Sequence, residues 1–314
     1  MIQMKKKHFE METDGFYGAY WKCKTDSDCA MIAMIGDDSE DYLARTSVKW
    51  LHKLGVNVMT MSPAKKDYGH HNYPLERVEK AISWLKMHGN QKIGIVGAST
   101  TGTLALTAAS YFEELTLTIG LTPSDFIWQG FMQGKKDGCK EWPIESESLF
   151  SYKGEPLPYM PFCYKHPDYW HVIDEETKRT GDMLNSRKLF DDSEATHPIT
   201  EEEMIKIEKI HGTLLLIGAE DDVLWDTAKY IRRMEQRMKE HPHTCRLESV
   251  IYEHATHFVF SESMLKTMLP IGSGIFMKLA FQAARKYPKE CQRARLDIDQ
   301  RVRNAVAEWK SAER

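Results

Sequence analysis

No run of about 18 consecutive apolar residues occurs in the 314-residue sequence, so no transmembrane helix is expected. The first twelve residues carry positive charge at Lys5–Lys7 but no apolar stretch behind it, which argues against a secretory leader. Six cysteines (Cys23, Cys29, Cys139, Cys163, Cys245 and Cys291) form no C-x-x-C pair, a scatter that fits reduced thiols in a cytoplasmic protein. Basic residues are in deficit, 42 Lys+Arg against 46 Asp+Glu for a net charge of -4, so the basic footprint of a nucleic-acid binder is missing. The sequence also lacks internal repeats and low-complexity tracts. With 42% hydrophobic and 28% charged residues it has ample material for a large core and does not resemble a disordered chain. One domain over residues 1–314 is the simplest expectation.

Periodicity sets the order of elements. His8–Glu12 and Phe16–Cys23 alternate as short strands around Asp14-Gly15. Cys29–Ile35 is a continuous apolar run, as in a central strand, and Asp41–Leu54 then has helical spacing, stopped by Gly55. A strand over Val56–Met61, a helix over Pro74–Met87, a strand over Lys92–Val96, an Ala/Leu-rich helix and a strand over Leu115–Leu121 follow. Regularity breaks from Thr122 to about His211. It returns with Thr213–Ile217, a helix over Thr227–Lys239 and a strand over Arg246–Tyr252. Helical spacing from Met264 is broken at Gly272-Ser273-Gly274 and Pro288. Lys289–Ala312 reads as a charged terminal helix, expected to pack on its own domain. Strands alternating with helices imply βαβ units and a mostly parallel sheet with helices on both faces.

Three positions carry chemistry. Gly97-x-Ser99 stands between an expected strand and an expected helix, the context of a nucleophile elbow, in which a sharp turn presents the serine. Thr101 occupies the place where glycine is usual, and Gly102 follows. A serine needs a base, and the base an orienting acid. Gly218-Ala219-Glu220-Asp221-Asp222 supplies acids at the end of the Thr213–Ile217 strand, where active sites of open α/β sheets form. The spacing favours Asp221, with Asp222 and then Glu220 as alternatives. Tyr252-Glu253-His254-Ala255-Thr256-His257 follows the last strand and supplies the base, His257 rather than His254. Serine, acid and histidine occur in the order of an α/β-hydrolase fold. The backbone N–H of Thr100, with a second donor around Gly36 and Asp37, is expected to form the oxyanion hole.

Several segments resemble a known family: Ile93–Gly102 (IGIVGASTTG), Pro123–Gly130 (PSDFIWQG), Tyr152–Pro161 (YKGEPLPYMP), Glu220–Trp225 (EDDVLW) and Tyr252–His257 (YEHATH). From about Ala30 to Phe260 the chain is similar to the C-terminal catalytic domain of acyl-CoA thioester hydrolases and bile acid-CoA:amino acid N-acyltransferases, in its bacterial single-domain form. The resemblance implies an α/β-hydrolase fold and a triad on Ser99, Asp221 and His257. Larger members carry an N-terminal immunoglobulin-like β-sandwich, for which this chain has room for only two or so strands. Acyltransferases of the family use a cysteine nucleophile, so Ser99 points to water as acceptor.

Between Phe126 and Trp170, 45 residues hold 11 aromatics where the chain average of 11% would give about five. We therefore expect residues 122–212 to form an inserted cap whose aromatics, Trp128 and Phe131 first, face an apolar ligand. His70-His71 has no third ligand at useful spacing, so no metal is expected, and the pair is placed near the site's rim. The expected activity is a serine hydrolase acting on a small-molecule acyl ester or thioester without a cofactor. An amidase, an acyltransferase to another acceptor, and a ligand-binding pseudo-hydrolase are the rivals.

Overall fold

The computed structural model describes residues 6–35, 38–62, 69–133 and 141–312. Eight strands form the main sheet: β1 (Lys6–Phe9), β2 (Tyr17–Trp21), β3 (Cys29–Met34), β4 (Asn57–Ser62), β5 (Lys92–Ala98), β6 (Leu115–Leu121), β7 (Thr213–Ala219) and β8 (Arg246–Tyr252). Their spatial order is β1-β2-β4-β3-β5-β6-β7-β8. β1 and β2 pair antiparallel, as do β2 and β4, and every pairing from β4 through β8 is parallel. The expected strand His8–Glu12 is instead the end of β1 followed by one helical turn, Met11–Asp14, closed by Gly15 at φ 78°.

Parallel pairing requires crossover connections, and helices supply them. These are α1 (Tyr42–His52), α2 (Glu76–Met87) and α3 (Thr100–Tyr111), then α4 (Asp168–Thr180) and α5 (Arg187–Thr196), then α6 (Thr227–Glu240); α7 (Glu262–Met268), α8 (Ser273–Ala280), α9 (Gln282–Lys286) and α10 (Pro288–Ser311) follow the last strand. Strand alternation divides the core into two layers. Ala30, Ile32 and Met34 of β3 join α2, α3 and α6 on one face. Met31 and Ala33 join α1 and α10 on the other, where Ile298, Val302, Val306 and Trp309 of α10 are buried. Among the described residues no helix is long and apolar enough to cross a membrane.

The segment from Thr122 to Gly212 holds short strands, α4 and α5. Gln129–Gln133 pairs with Glu141–Ser148 and Gly69–His70, and Phe150–Tyr152 pairs with Glu155–Pro156 and Tyr73–Pro74. Its apolar side chains, among them Phe126, Trp128, Leu149, Phe150 and Met160, join the same cluster as α2, α3 and α6. A buried ion pair ties the start of this segment to α6. Asp125 is 1% exposed and accepts from Arg233 Nε and Nη2, each at 2.6 Å. The Arg233 guanidinium also lies over the rings of Phe126 and Tyr230.

Removing one partner of such a pair strands the other charge. Arg233→Met should therefore cost about 3 kcal/mol or more of unfolding free energy. Asp125→Asn combined with Arg233→Met should cost less than the single change. Urea unfolding of the three proteins checks this; equal losses would show that Asp125 is not left as an uncompensated charge when Arg233 is removed.

Candidate active site

β5 ends at Ala98 and α3 begins at Thr100, leaving Ser99 to make the turn alone at φ 60°, ψ -130°. A non-glycine residue there is strained, by an order of 1–3 kcal/mol, and persists only where the surroundings fix it. Ser99 N–H donates to Leu121 O at 2.8 Å, holding the turn against β6. Gly97 is required by close approach, since a Cβ there would lie 1.9 Å from Thr101 O. Thr101, standing where glycine is usual, contributes a bond of its own. Its hydroxyl accepts from Ala98 N at 3.0 Å and donates to Ala98 O at 2.9 Å. Thr100 is the first residue of α3, so its N–H has no acceptor within the helix and is free to meet negative charge.

The histidine and its acid come from the ends of β8 and β7. His257 Nδ1 lies 2.9 Å from both carboxylate oxygens of Asp222, and both side chains are fully buried. Leu224 N–H at 2.9 Å, Trp225 N–H at 3.4 Å and the Thr227 hydroxyl also donate to Asp222. His257 Nε2 is buried without a hydrogen-bond partner among the described residues.

The expected contact of Asp221 with His257 is not made. Asp221 instead accepts from Ala255 N–H at 3.1 Å and Thr256 N–H at 2.8 Å, and lies 3.3 Å from His254 Nδ1. Burial raises its carboxyl above the ordinary range, against these donors. His254 is also held elsewhere, stacked on Tyr287 with ring centroids 3.6 Å apart. Two neighbouring carboxylates on one turn point in different directions. The inward one, Asp222 in the turn before α6, meets the histidine. Asp221 clamps the backbone that presents it, where Thr256 adopts φ 66°.

A third strained residue ties these parts together. Thr122, at φ 46°, donates its N–H to Ile217 O at 2.7 Å and its hydroxyl to His257 O at 3.1 Å. Its carbonyl accepts from Trp225 Nε1 at 3.1 Å. The Trp225 ring in turn meets His257 edge-on at 4.9 Å. Of six non-glycine residues with positive φ among the described residues, Ser99, Thr122 and Thr256 cluster here, as strain tends to do at functional sites.

Ser99, Thr101, Thr122 and His257 line one cleft of about 460 Å³. Its walls are apolar: Met34 and Leu121 at strand ends, and Phe258, Leu265, Met268 and Phe276 from the chain after His257. The expected ligand-facing residues are elsewhere. Trp128 is 2% exposed and packs against Phe126, Phe190 and Trp225, while Phe131 is buried beside His70. Among the described residues of 122–212, only Thr122 and Met183 line the cleft. The aromatic excess serves the packing of that segment onto the sheet. The signal missed in the sequence is the apolar run Phe258-Val259-Phe260 and the Met- and Leu-rich stretch behind it.

Gly36 and Asp37, the expected second oxyanion donor, lie outside the described residues. His70 is not at the rim. It is fully buried among Tyr73, Phe131 and Phe150, and burial, with His71 and Arg77 nearby, pushes its pKa down to about 3, leaving the ring neutral. His71 pairs with Glu147 at 3.0 Å. Among the described residues no group of three or more His, Cys, Asp or Glu side chains is placed to hold a metal ion.

The family described as BAAT / acyl-CoA thioester hydrolase C terminal matches residues 73–261. No curated protein matches the chain in sequence. Among solved structures it is similar to a putative dienelactone hydrolase from Klebsiella pneumoniae, at 8% identity and TM-score 0.52, over 96% of this chain and 98% of that one. An alpha/beta hydrolase from a Medee basin deep-sea metagenome library is similar at 13% identity and TM-score 0.51, again over 96% and 98%. An esterase from Pyrococcus furiosus reaches TM-score 0.50 at 13% identity, over 94% of this chain and 87% of that one. The fold is that of the α/β hydrolases.

An apolar fluorescent ligand bound in the cleft tests its walls. Phe276→Ala should weaken binding about tenfold, the loss of one partly buried aromatic. Trp128→Phe should leave the Kd unchanged while lowering the Tm. The reverse pattern would return the ligand pocket to the aromatic segment.

Proposed function

This chain belongs to the BAAT / acyl-CoA thioester hydrolase C-terminal family, and on that footing we propose that it is a serine hydrolase. It cleaves an acyl thioester or ester of an apolar acyl group through an acyl-enzyme on Ser99. One observation carries this reading: a buried histidine, fixed through Nδ1 by Asp222 and unpartnered at Nε2, shares a cleft with a serine held in a strained turn.

Chemistry follows from those positions. His257 Nε2 takes the Ser99 hydroxyl proton as Oγ attacks the substrate carbonyl carbon. Asp222 keeps the Nδ1–H tautomer and stabilises the imidazolium without taking the proton. Negative charge on the tetrahedral oxygen meets the free N–H of Thr100 at the start of α3. Collapse breaks the bond to the leaving alcohol or thiol, which His257 protonates. Water then attacks the acyl-enzyme with His257 again as base, releasing the acid and restoring Ser99.

The apolar walls support an apolar acyl group, since few polar atoms are available there to compensate a polar one. Among triad acids Asp222 replaces the expected Asp221, because it alone reaches the imidazole. Asp221 acts on the loop through Ala255 and Thr256.

Hydrolysis of p-nitrophenyl esters and acyl-CoAs of increasing chain length, by wild type and variants, tests the proposal. Ser99→Ala should abolish turnover. Asp222→Asn should lower kcat about 10⁴-fold, as expected when the base loses its orienting acid. Asp221→Asn retains an oxygen acceptor for both loop N–H groups and should cost about tenfold. Preference for acyl-CoA over simple esters would assign sulfur as the leaving atom; turnover of esters alone would assign a carboxylesterase. Release that survives Ser99→Ala would remove the nucleophile, and no turnover with any substrate would leave a transferase lacking its acceptor or a binding protein.

A further inference from the structure

The chain that roofs the cleft turns a second apolar face outward. Ile271, in the turn before α8, is 93% exposed, and Ile275 and Leu279 on α8 are 67% and 74% exposed. Four-residue spacing stacks Ile275 and Leu279 on one side of the helix, and Ile271 precedes its N-cap, Gly272. Phe276, next to Ile275 in sequence, lines the cleft, so α8 separates the catalytic cavity from solvent with apolar side chains on both sides. The apolar surface continues to the cleft itself, because Met183, which lines it, is 52% exposed and donates its N–H to Ala280 O at 2.7 Å. Leu43, on the opposite lip, is 37% exposed.

Charge identifies what such a face meets. Residues 261–289 contain Lys266, Lys278, Arg285, Lys286 and Lys289 against one acid, Glu262, for a net +4 in a chain whose total is -4. All five basic side chains are exposed. The single acid is buried and already engaged, by Arg295 at 2.9 Å and Lys266 at 3.4 Å. Arg285 fixes the helix in place by donating to Lys278 O and Gly181 O at 3.0 and 2.8 Å. A second copy packed symmetrically on this face would set the same basic cluster against itself, a repulsive arrangement. An amphiphilic surface that is apolar below and anionic above matches both features.

We propose that α8 and the turn before it form a docking surface for an anionic lipid bilayer. Ile271, Ile275 and Leu279 enter the acyl boundary, and the flanking lysines meet the headgroups. Docking sets the lips of the cleft, Met183 and Leu43, beside the bilayer, so an apolar acyl substrate reaches Ser99 without crossing water. This delivery rests on the hydrolase reading; docking itself does not.

Co-sedimentation with phosphatidylglycerol and phosphatidylcholine vesicles tests the surface without relying on catalysis. The wild-type chain should partition onto phosphatidylglycerol vesicles, less as salt rises, and weakly onto phosphatidylcholine. The triple variant Ile271→Ser, Ile275→Ser, Leu279→Ser should lose at least about 100-fold in partitioning. Lys278→Glu and Lys289→Glu should each cost about fivefold or more on the anionic vesicles alone. Thermal melts of the variants should match wild type, since the altered side chains are exposed. Absence of vesicle binding, binding that survives the triple variant, or equal binding to both lipids would overturn the proposal. So would a lipid-free dimer, seen by sedimentation velocity, that the triple variant dissolves, because a second copy would then cover the face. If binding behaves as expected while Ser99-dependent hydrolysis is absent, the docking surface stands and the hydrolase reading fails.

Discussion

The rest of the site depends on the buried contact between Asp222 and His257. A carboxylate and an imidazole fully removed from water are tolerable only if each finds partners. Asp222 therefore draws the N–H groups of Leu224 and Trp225 and the Thr227 hydroxyl around it. These bonds bend the chain after β7 into the start of α6. The same turn delivers the Trp225 ring to His257 and its Nε1–H to Thr122 O. Thr122 closes the circuit by holding the His257 carbonyl. Three strand ends are thus bound to one another by polar groups that could not be left unpaired.

Such an arrangement explains why strain collects where it does. Ser99, Thr122 and Thr256 each occupy backbone conformations costly for their residue types, and each sits at or beside a strand's C-terminal end on the same edge of the sheet. Parallel strands β3 to β8 supply a stiff base, so a local cost of a few kcal/mol at the turns is over-determined by the packed layers beneath. Asp221 is part of this economy of positions. It fixes the Ala255-Thr256 backbone while its neighbour fixes the histidine ring, and adjacent carboxylates divide the two tasks by pointing apart.

The aromatic segment and the cleft illustrate how composition misleads without geometry. Eleven aromatics in 45 residues indicate a large apolar area, but not what covers it. Trp128 and Phe131 are buried in the cluster that covers one face of the sheet, whereas the cleft is walled by Phe258, Leu265, Met268 and Phe276. A run of apolar residues at helical spacing reads the same in sequence whether it faces a core, a cavity or solvent.

Much of this molecule was legible in the chain because it follows from local periodicity. β6 and β8 begin and end where the apolar alternation does, the helix over 227–240 runs one residue past its expected end, and the elbow was marked by Gly97 and Ser99 between a strand and a helix. The order of serine, acid and histidine, and the strand ends that carry them, are consequences of a one-dimensional pattern. The family match begins at residue 73, later than the resemblance from Ala30. The choice between Asp221 and Asp222 lay beyond any such pattern. Both stand on one turn, and one residue's shift reverses which way a side chain points, so only the packing of α6 against β7 and the loop after β8 decided which carboxylate turned inward. Tertiary structure alone likewise decided that the chain after His257, rather than the aromatic segment, walls the cleft, because proximity between segments as far apart in sequence as Ser99 and Phe258 is set by how layers stack and not by any local preference.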